Sequence, residues 1–251
     1  MTALAALTER EVLGQLRDDV PFAILAPAGF FIVFHFALRN VIDTGETSYA
    51  QYLLPVIIVQ VTLLGALATV DRAAVNQQSE IGVRLRTLPI SAATPLIARM
   101  LYCLLRGSIA LMTAVAIGYL FGFRIVGGFG YAIAFVVLVL VFTLALSLGA
   151  DAAGAGIAGS EIARSGTSSQ VLLVPQLLLI MLSSGMAPVE SFPDWLHPFV
   201  RYQPVSQVTE TLRGLATGHV NGPNLEGTLL WCGGLLVLFG ALAVRIQRRA
   251  V

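Results

Sequence analysis

The sequence predicts an all-α membrane protein with six transmembrane helices. Of its 251 residues, 57% are hydrophobic and 12% are charged, whereas soluble domains carry roughly 25% charged residues. The mean hydropathy is +0.83. A chain this apolar could not cover its surface in water, but in a bilayer its lipid contacts can be apolar everywhere. Long apolar stretches joined by short polar connections complete the prediction.

The first predicted element is an amphipathic helix over residues 1–19. Its apolar side chains fall near one face, and Thr8 with Glu11 three residues later has the pattern of a capping box. A helix too polar to span, placed just before the first span, is expected to lie along the cytoplasmic interface. The alternative is a disordered tail. The apolar residues of this face are Leu4, Leu7, Val12, Leu13 and Leu16.

Six apolar stretches follow, each near the ~20 residues needed to cross a hydrocarbon core about 30 Å thick. The connections between them are too short for a folded soluble domain. The sequence therefore predicts a single membrane domain over residues 1–251, without an ATPase or catalytic module of its own. The six stretches are approximately Pro21–Leu38, Tyr52–Val70, Ile97–Phe121, Tyr131–Ala150, Val171–Val189 and Leu229–Val244.

The arginines predict the orientation, because cytoplasmic loops carry an excess of basic residues. With the amino terminus inside, both termini are cytoplasmic, residues 71–96 form a cytoplasmic loop and residues 188–227 form an external loop. The cytoplasmic segments then hold Arg10, Arg17, Arg72, Arg84, Arg86, Arg99, Arg164, Arg245, Arg248 and Arg249, and the external segments hold only Arg39, Arg124, Arg201 and Arg213.

Composition and motifs argue against several functions. A formal net charge of +1 offers no basic field for a nucleic-acid partner. Cys103 and Cys232 lie in apolar runs without metal-ligand spacing, which favours small buried hydrophobes over a metal site. The chain has no G-x-x-x-x-G-K-[ST] run, so no nucleotide is expected on it. We therefore expect no cofactor bound by this chain.

The external loop is rich in aromatic residues and proline. Tryptophan and tyrosine favour the membrane–water boundary, and four prolines divide the loop into short helices. We expect a re-entrant or surface-lying helical hairpin packed on the outer ends of the spans, since non-helical backbone at membrane depth is tolerated only against protein or water. The alternative is a surface loop that only anchors. The main residues are Phe192, Pro193, Trp195, Pro198, Phe199, Gln203 and Pro204.

The cytoplasmic loop contains a short amphipathic pattern. Apolar residues alternate with charged ones from Glu80 to Arg86, which offers apolar anchors with a charged rim for a protein partner. Pro89 ends the predicted helix and restricts its angle to the third span. The alternative is a surface loop whose arginines only enforce topology.

Both loops resemble those of type 2 ABC exporter permeases. The run Pro188-x3-Phe192-Pro193-x-Trp195-Leu196-x-Pro198-Phe199-Val200-x2-Gln203-Pro204-Val205-Ser206 resembles the external loop of the daunorubicin-resistance branch, which includes mycobacterial permeases for phthiocerol-type lipids. The run Glu80-x-Gly82-x5-Leu88-Pro89 resembles the coupling helix that docks on the ATPase subunit. The resemblance assigns ATPase coupling to Glu80, Gly82, Arg84, Arg86, Leu88 and Pro89.

The resemblance implies a permease subunit of an ATP-driven exporter that moves a lipid or hydrophobic drug out across the bacterial plasma membrane. The subunit is then not an enzyme. ATP and magnesium belong to a cytoplasmic ATPase present in two copies, and the other partners are membrane lipid and a second permease, identical or sister. One alternative is an ATPase-independent secondary transporter, for which ionisable relays in the spans are expected. Another is a membrane-embedded lipid-modifying enzyme, which needs clustered His, Asp or Glu at membrane depth.

Arg106 is a charged residue in the middle of the third apolar stretch. At membrane depth its guanidinium is costly and should face protein or a water-filled cavity. We expect a structural pairing with Asp71 or Asp151 near the cytoplasmic ends of the spans. The alternative is contact with an anionic group of the cargo.

Overall fold

The computed structural model describes residues 3–38, 48–78, 93–158, 160–161 and 168–249, which form helices and turns. Five of the described helices are long and apolar enough to cross a membrane, which confirms an all-α membrane protein. The helices are α1 (Ala3–Leu38), α2 (Tyr49–Gln78), α3 (Ala93–Leu120), α4 (Phe129–Ile157), α5 (Ser168–Met181), α6 (His197–Tyr202), α7 (Pro204–Thr217) and α8 (Gly222–Arg249). Two short 3₁₀ turns, Val189–Ser191 and Asp194–Leu196, precede α6.

The shortest of the apolar helices, α5, has 14 residues but joins the same two ends of the bundle as α2. At its start, the Ser169 amide donates to the Asp71 carboxylate at 2.8 Å. Just beyond its end, the Ser184 carbonyl accepts from the Tyr52 hydroxyl at 3.3 Å. On α2, Tyr52 and Asp71 are separated by about 28 Å, at 1.5 Å per residue. This distance is close to the thickness of a hydrocarbon core.

The centre of the bundle is α2. In its most apolar 18-residue window 67% of residues are buried, against 17% for α1 and 11% for α8. The main core lies where α2 meets α3, α4 and α7, and the outer helices leave most of their apolar surface to lipid. The largest fully buried side chains of this core include Phe31, Leu54, Ile57, Phe123, Phe135, Phe142 and Leu212.

The tightest helix contact places Gly154 of α4 against α2. A Cβ at Gly154 would lie 2.2 Å from the Val70 carbonyl oxygen and 2.8 Å from the Ala73 Cβ. Only glycine permits this approach of the two backbones. Gly156, two residues further along α4, has nothing within 4 Å of the corresponding position.

The hairpin of α6 and α7 is attached to the end of the bundle where α2 and α4 begin. Pro204 opens α7, and Gly218 ends it in the left-handed region with φ of +79°. The Val126 amide donates to the Ala216 carbonyl at 2.9 Å, which joins the α3–α4 connection to α7. Val208 and Leu212 of α7 are fully buried in the main core.

The structure differs from the prediction at the amino terminus. A separate interfacial helix over residues 1–19 is not confirmed, since its described residues, from Ala3 onward, are the first part of α1, which continues through Pro21 and Pro27 to Leu38. The physical reason is Asp19, whose carboxylate is paired with arginines of α2 and α3. The polar half of the helix is therefore held to the bundle at Asp19, while its side chains from Leu4 to Asp18 are partly or fully exposed. At 36 residues α1 extends about 54 Å, well beyond a hydrocarbon core.

Two further boundaries need correction. The predicted fifth span, Val171–Val189, is too long at its carboxyl end, because α5 stops at Met181 before Ser183, Ser184 and Gly185. The helix that contains the predicted sixth span, Leu229–Val244, starts earlier than that span, because α8 already begins at Gly222. The first turns of α8 are polar, so hydropathy alone places the start of this helix several residues late.

We expect Gly154→Leu to destabilise the fold, because its side chain must enter the contact between α4 and the Val70 carbonyl. Overpacking of this kind costs on the order of 1–3 kcal/mol, or more against backbone. The purified chain in detergent should unfold at a temperature lower by several degrees. Gly156→Leu is the matched control and should leave the midpoint unchanged. Equal midpoints for the two variants would show that the α2–α4 contact is not tight.

Candidate functional site

One carboxylate on α1 joins three helices. Asp19 forms an ion pair with Arg72 of α2, accepts a hydrogen bond from the Tyr102 hydroxyl of α3 at 2.6 Å, and lies 3.5 Å from Arg106 Nη1 of α3. The side chain of Asp19 is only 13% exposed and that of Arg106 only 10%. We call Asp19, Arg72, Tyr102 and Arg106 the Asp19 cluster.

Helical spacing brings these side chains together. Tyr102 and Arg106 are four residues apart and share one face of α3. Thr69 and Arg72 are three residues apart and share one face of α2. The two faces meet α1 at Asp19, so an i,i+4 pair on one helix and an i,i+3 pair on another surround a single carboxylate.

The Arg106 guanidinium also binds α2 directly. Its Nη2 donates to the Gly65 carbonyl and, at 3.3 Å, to the Thr69 hydroxyl. A Cβ at Gly65 would lie 3.0 Å from Nη2, so glycine leaves the room that the guanidinium occupies. A carboxylate, a carbonyl and a hydroxyl thus replace water around a buried charge.

A second ion pair lies at the same end of the bundle. Arg99 of α3 donates from Nε and Nη2 to the two carboxylate oxygens of Asp151 on α4, at 2.7 and 3.0 Å. The Asp151 side chain is 1% exposed. This bidentate pair holds α3 to α4, as the Asp19 cluster holds α3 to α1 and α2.

A cavity of about 50 Å³ lies between α1, α2, α3 and α4 beside the Asp19 cluster. It has room for about three waters, or for the polar end of a larger molecule. Asp19, Arg106 and three hydroxyl residues line it together with aliphatic side chains. The hydroxyl residues are Thr62, Thr143 and Ser147, and the apolar lining includes Ile58, Val61, Ala110, Leu111, Ala114 and Val139.

The opposite end of the bundle has its own polar anchor, built around Arg213 of α7. The guanidinium donates to the carbonyls of Tyr52, Ser184 and Gly185 at 3.2, 3.1 and 3.0 Å. It also pairs with Glu210 at 2.7 Å and lies 3.7 Å from the centre of the Tyr52 ring. One side chain therefore holds the hairpin to the start of α2 and the end of α5. We call this contact the Arg213 anchor.

The structure separates the predicted hairpin residues into two groups. Gln203 is 4% exposed and donates to the Leu182 carbonyl and the Ser206 hydroxyl, so it belongs to the junction of the hairpin with α5. Pro204 begins α7. The others lie on the surface or only partly buried, with Trp195 79% and Phe199 48% exposed. This second group comprises Phe192, Pro193, Trp195, Pro198 and Phe199.

The structure places Arg106 beside Asp19, and neither of the two expected carboxylates is its partner. Asp151 binds Arg99, and Asp71 accepts from the Ser169 amide. The predicted coupling residues Glu80, Gly82, Arg84, Arg86, Leu88 and Pro89 lie outside the described residues.

Sequence reasoning missed Asp19 and Arg213 as central residues. The signal for Asp19 was its position two residues before the first apolar stretch, because a buried arginine requires a carboxylate near the same depth. Arg213 was counted only as one of four external arginines. Its partners are mainly backbone carbonyls, which every residue has, so the residue types do not indicate this contact.

The fold and the cavity define a multi-pass helical membrane protein with a polar site between its helices. A family model described as ABC-2 family transporter protein matches residues 22–245. The chain is 30% identical to the doxorubicin resistance ABC transporter permease protein DrrB of Mycobacterium tuberculosis, over 94% of this chain and 83% of that protein. It is 27% identical to the daunorubicin resistance ABC transporter permease protein DrrB1 of Streptomyces coeruleorubidus, over 90% and 78%.

The chain belongs to the ABC-2 family of transporters. It is a permease subunit of an ABC exporter, as the two loops predicted. The match to the family covers α2 to α7 completely, α1 from Phe22 onward and α8 as far as Arg245.

We expect Arg213→Gln to loosen the hairpin, because glutamine cannot supply the guanidinium donors or the charge beside Glu210. Loss of one partner of a buried charged contact costs several kcal/mol, which corresponds to roughly 5–10 °C in the unfolding midpoint. Limited proteolysis should cut the variant within residues 188–221 faster than the parent. Arg201→Gln is the control, since Arg201 lies in the same hairpin with its side chain exposed. Equal cleavage of both variants would contradict the anchor.

Proposed function

We propose that the chain exports amphiphilic drugs or lipids outward across the bacterial plasma membrane, driven by ATP hydrolysis on a separate subunit. The relatives DrrB and DrrB1 are named for resistance to doxorubicin and daunorubicin, which supports a drug as cargo. The observation that carries the proposal is the cavity between α1, α2, α3 and α4, which combines apolar walls with a polar end. Such a lining suits a molecule that is itself apolar with a polar group.

The polar group of the cargo would lie at the end of the cavity formed by Arg106, Thr62 and Thr143. The apolar body would lie along the aliphatic wall formed by α2 and α3. A wider form of the cavity, opened during the transport cycle, would admit the whole molecule. In this arrangement Arg106 has two roles, as a structural ion-pair partner and as a hydrogen-bond donor to cargo.

The bundle has both termini in the cytoplasm in this proposal, with the Asp19 cluster near the cytoplasmic side and the Arg213 anchor near the outside. The excess of arginine at the end of the bundle that contains Arg72 and Arg99 supports this orientation. We add α5 to the five long helices as a further span, which gives six in total. Its contacts with Asp71 and Tyr52 connect it to both ends of α2. The hairpin 188–221 then closes the outer end of the bundle.

The partners in this proposal are two copies of a cytoplasmic ABC ATPase, which hold ATP and magnesium, and a second permease. The ATPase would bind the segment Glu80–Pro89 between α2 and α3. The resemblance of this segment to a coupling helix supports the assignment, as do its apolar residues with their charged rim.

Doxorubicin transport in inside-out membrane vesicles of the native host tests the function. Wild-type vesicles should accumulate doxorubicin when ATP is added, and vesicles from a strain lacking this chain should not. A protonophore should leave the ATP-driven uptake unchanged, since the energy comes from the nucleotide. Uptake that needs a proton gradient and no ATP would instead indicate a secondary transporter. Chemical change of an added lipid without transport would indicate an enzyme.

The coupling assignment is tested by reversing the charge of Glu80. We expect Glu80→Arg to lower co-purification of the ATPase with the chain by about tenfold, since loss of one charged interface contact costs roughly 1–3 kcal/mol. Membrane insertion should be unchanged. Glu9→Arg, a charge reversal at an exposed position of α1, is the control and should retain the ATPase. Normal co-purification of Glu80→Arg would remove the coupling role from this segment.

A further inference from the structure

The Asp19 cluster lies on the two helices that lead into and out of residues 79–92. Arg72 is six residues before the end of α2 at Gln78, or about 9 Å along the helix. Tyr102 is nine residues after the start of α3 at Ala93, or about 13 Å. A displacement of either helix at that end must therefore pass through the cluster before it reaches the middle of the bundle.

Asp19 is the only residue of the cluster on α1, and it is shared. Its Oδ1 binds Arg72 of α2, while its Oδ2 accepts from Tyr102 and lies near Arg106, both on α3. Movement of α2 against α3 cannot preserve all of these contacts. Either α1 follows one of the two helices, or a buried charge loses its partner at high cost.

Directional contacts transmit movement in a way that apolar packing does not. The hydrophobic effect is non-directional, so apolar helix faces can slide while they remain buried. Charge-assisted hydrogen bonds hold a defined geometry. A buried ion pair also contributes little net stability compared with apolar side chains of the same volume. Stability alone therefore does not account for three charged side chains at this depth.

The cluster also forms part of the wall of the cavity. Asp19 and Arg106 line it together with Phe22 and Ala23, which follow Asp19 on α1. A shift of α1 relative to α3 changes the distance between Asp19 and Arg106 and so changes the polar end of the cavity. The same carboxylate thus contacts both the helices that flank residues 79–92 and the cavity.

We propose that Asp19 is a positioning residue for transport, which conveys displacement of α2 and α3 to α1 and thereby to the wall of the cavity. This inference rests on the proposed function as an ATP-driven exporter. Asp19 acts through Arg72, Tyr102 and Arg106 and need not touch cargo. Any force applied at that end of α2 and α3 reaches the same cluster, whichever segment receives the movement from the ATPase.

The test is Asp19→Asn in the full chain with its ATPase, in inside-out vesicles of the native host. Asparagine keeps the shape and can accept from Tyr102, but it has no charge for the two arginines. We expect doxorubicin transported per ATP hydrolysed to fall by about tenfold, because charged hydrogen bonds are replaced by neutral ones. ATPase co-purification should stay unchanged. Asp19→Glu should recover part of the ratio.

Asp18→Asn is the matched control, because Asp18 is the neighbouring carboxylate and is exposed. It should leave the ratio at the wild-type value. If Asp19→Asn accumulates poorly, Tyr102→Phe replaces it as the test, since it removes only the hydroxyl that binds Asp19. We expect a smaller fall in the same ratio for Tyr102→Phe.

An unchanged ratio of transport to hydrolysis in Asp19→Asn, or in Tyr102→Phe when the first variant does not accumulate, would overturn the proposal. This includes the case in which transport and hydrolysis fall by the same factor, because that result indicates loss of assembly. Wild-type vesicles are measured in parallel, and their ATP-driven uptake tests the proposed function separately. If wild-type vesicles transport doxorubicin and the ratio in Asp19→Asn is unchanged, only the inference about Asp19 fails and the proposed function stands.

Discussion

The arrangement of this bundle depends on the burial of Arg106. An arginine at membrane depth needs a carboxylate and further acceptors before its helix can pack. Asp19 supplies the carboxylate, and the Gly65 carbonyl and Thr69 hydroxyl supply the other acceptors. These requirements hold α1 and α2 against α3 at the position of Asp19. The polar end of the cavity follows from this one charge.

The two ends of the protein are held by different kinds of contact. Arg213 binds three backbone carbonyls, two of which, those of Ser184 and Gly185, lie just beyond the end of α5. Such acceptors keep their positions as long as the backbone does. The Asp19 cluster is built mainly from side chains, which can exchange partners by changing rotamers. The structure therefore combines a fixed end at Arg213 with an end at Asp19 whose contacts can rearrange.

Much of the fold could be predicted from apolar length alone. The predicted spans Tyr52–Val70, Tyr131–Ala150 and Leu229–Val244 lie within α2, α4 and α8, because length and hydropathy are local properties. The partner of Arg106 was not predictable in this way, because it depends on which helices are neighbours. Asp71 and Asp151 were reasonable by depth, yet Asp19 reaches Arg106 from a helix whose polar half was expected to lie outside the membrane. The role of Arg213 was not predictable for a related reason. Its partners are mainly backbone carbonyls, which every residue has, so the sequence does not show which of them Arg213 binds.

In the proposed function, the position of the cavity connects these contacts with transport. It lies beside the only described groups that join α1, α2 and α3 through charge, and it shares Asp19 and Arg106 with them. In an ATP-driven exporter the work is done outside the membrane and must reach the cargo through helices. A cavity far from any charged contact between helices would move only as apolar packing allows. Here the polar end of the cavity consists of the same side chains that hold the helices in register. A change in helix position is therefore also a change in what the cavity offers to a polar group.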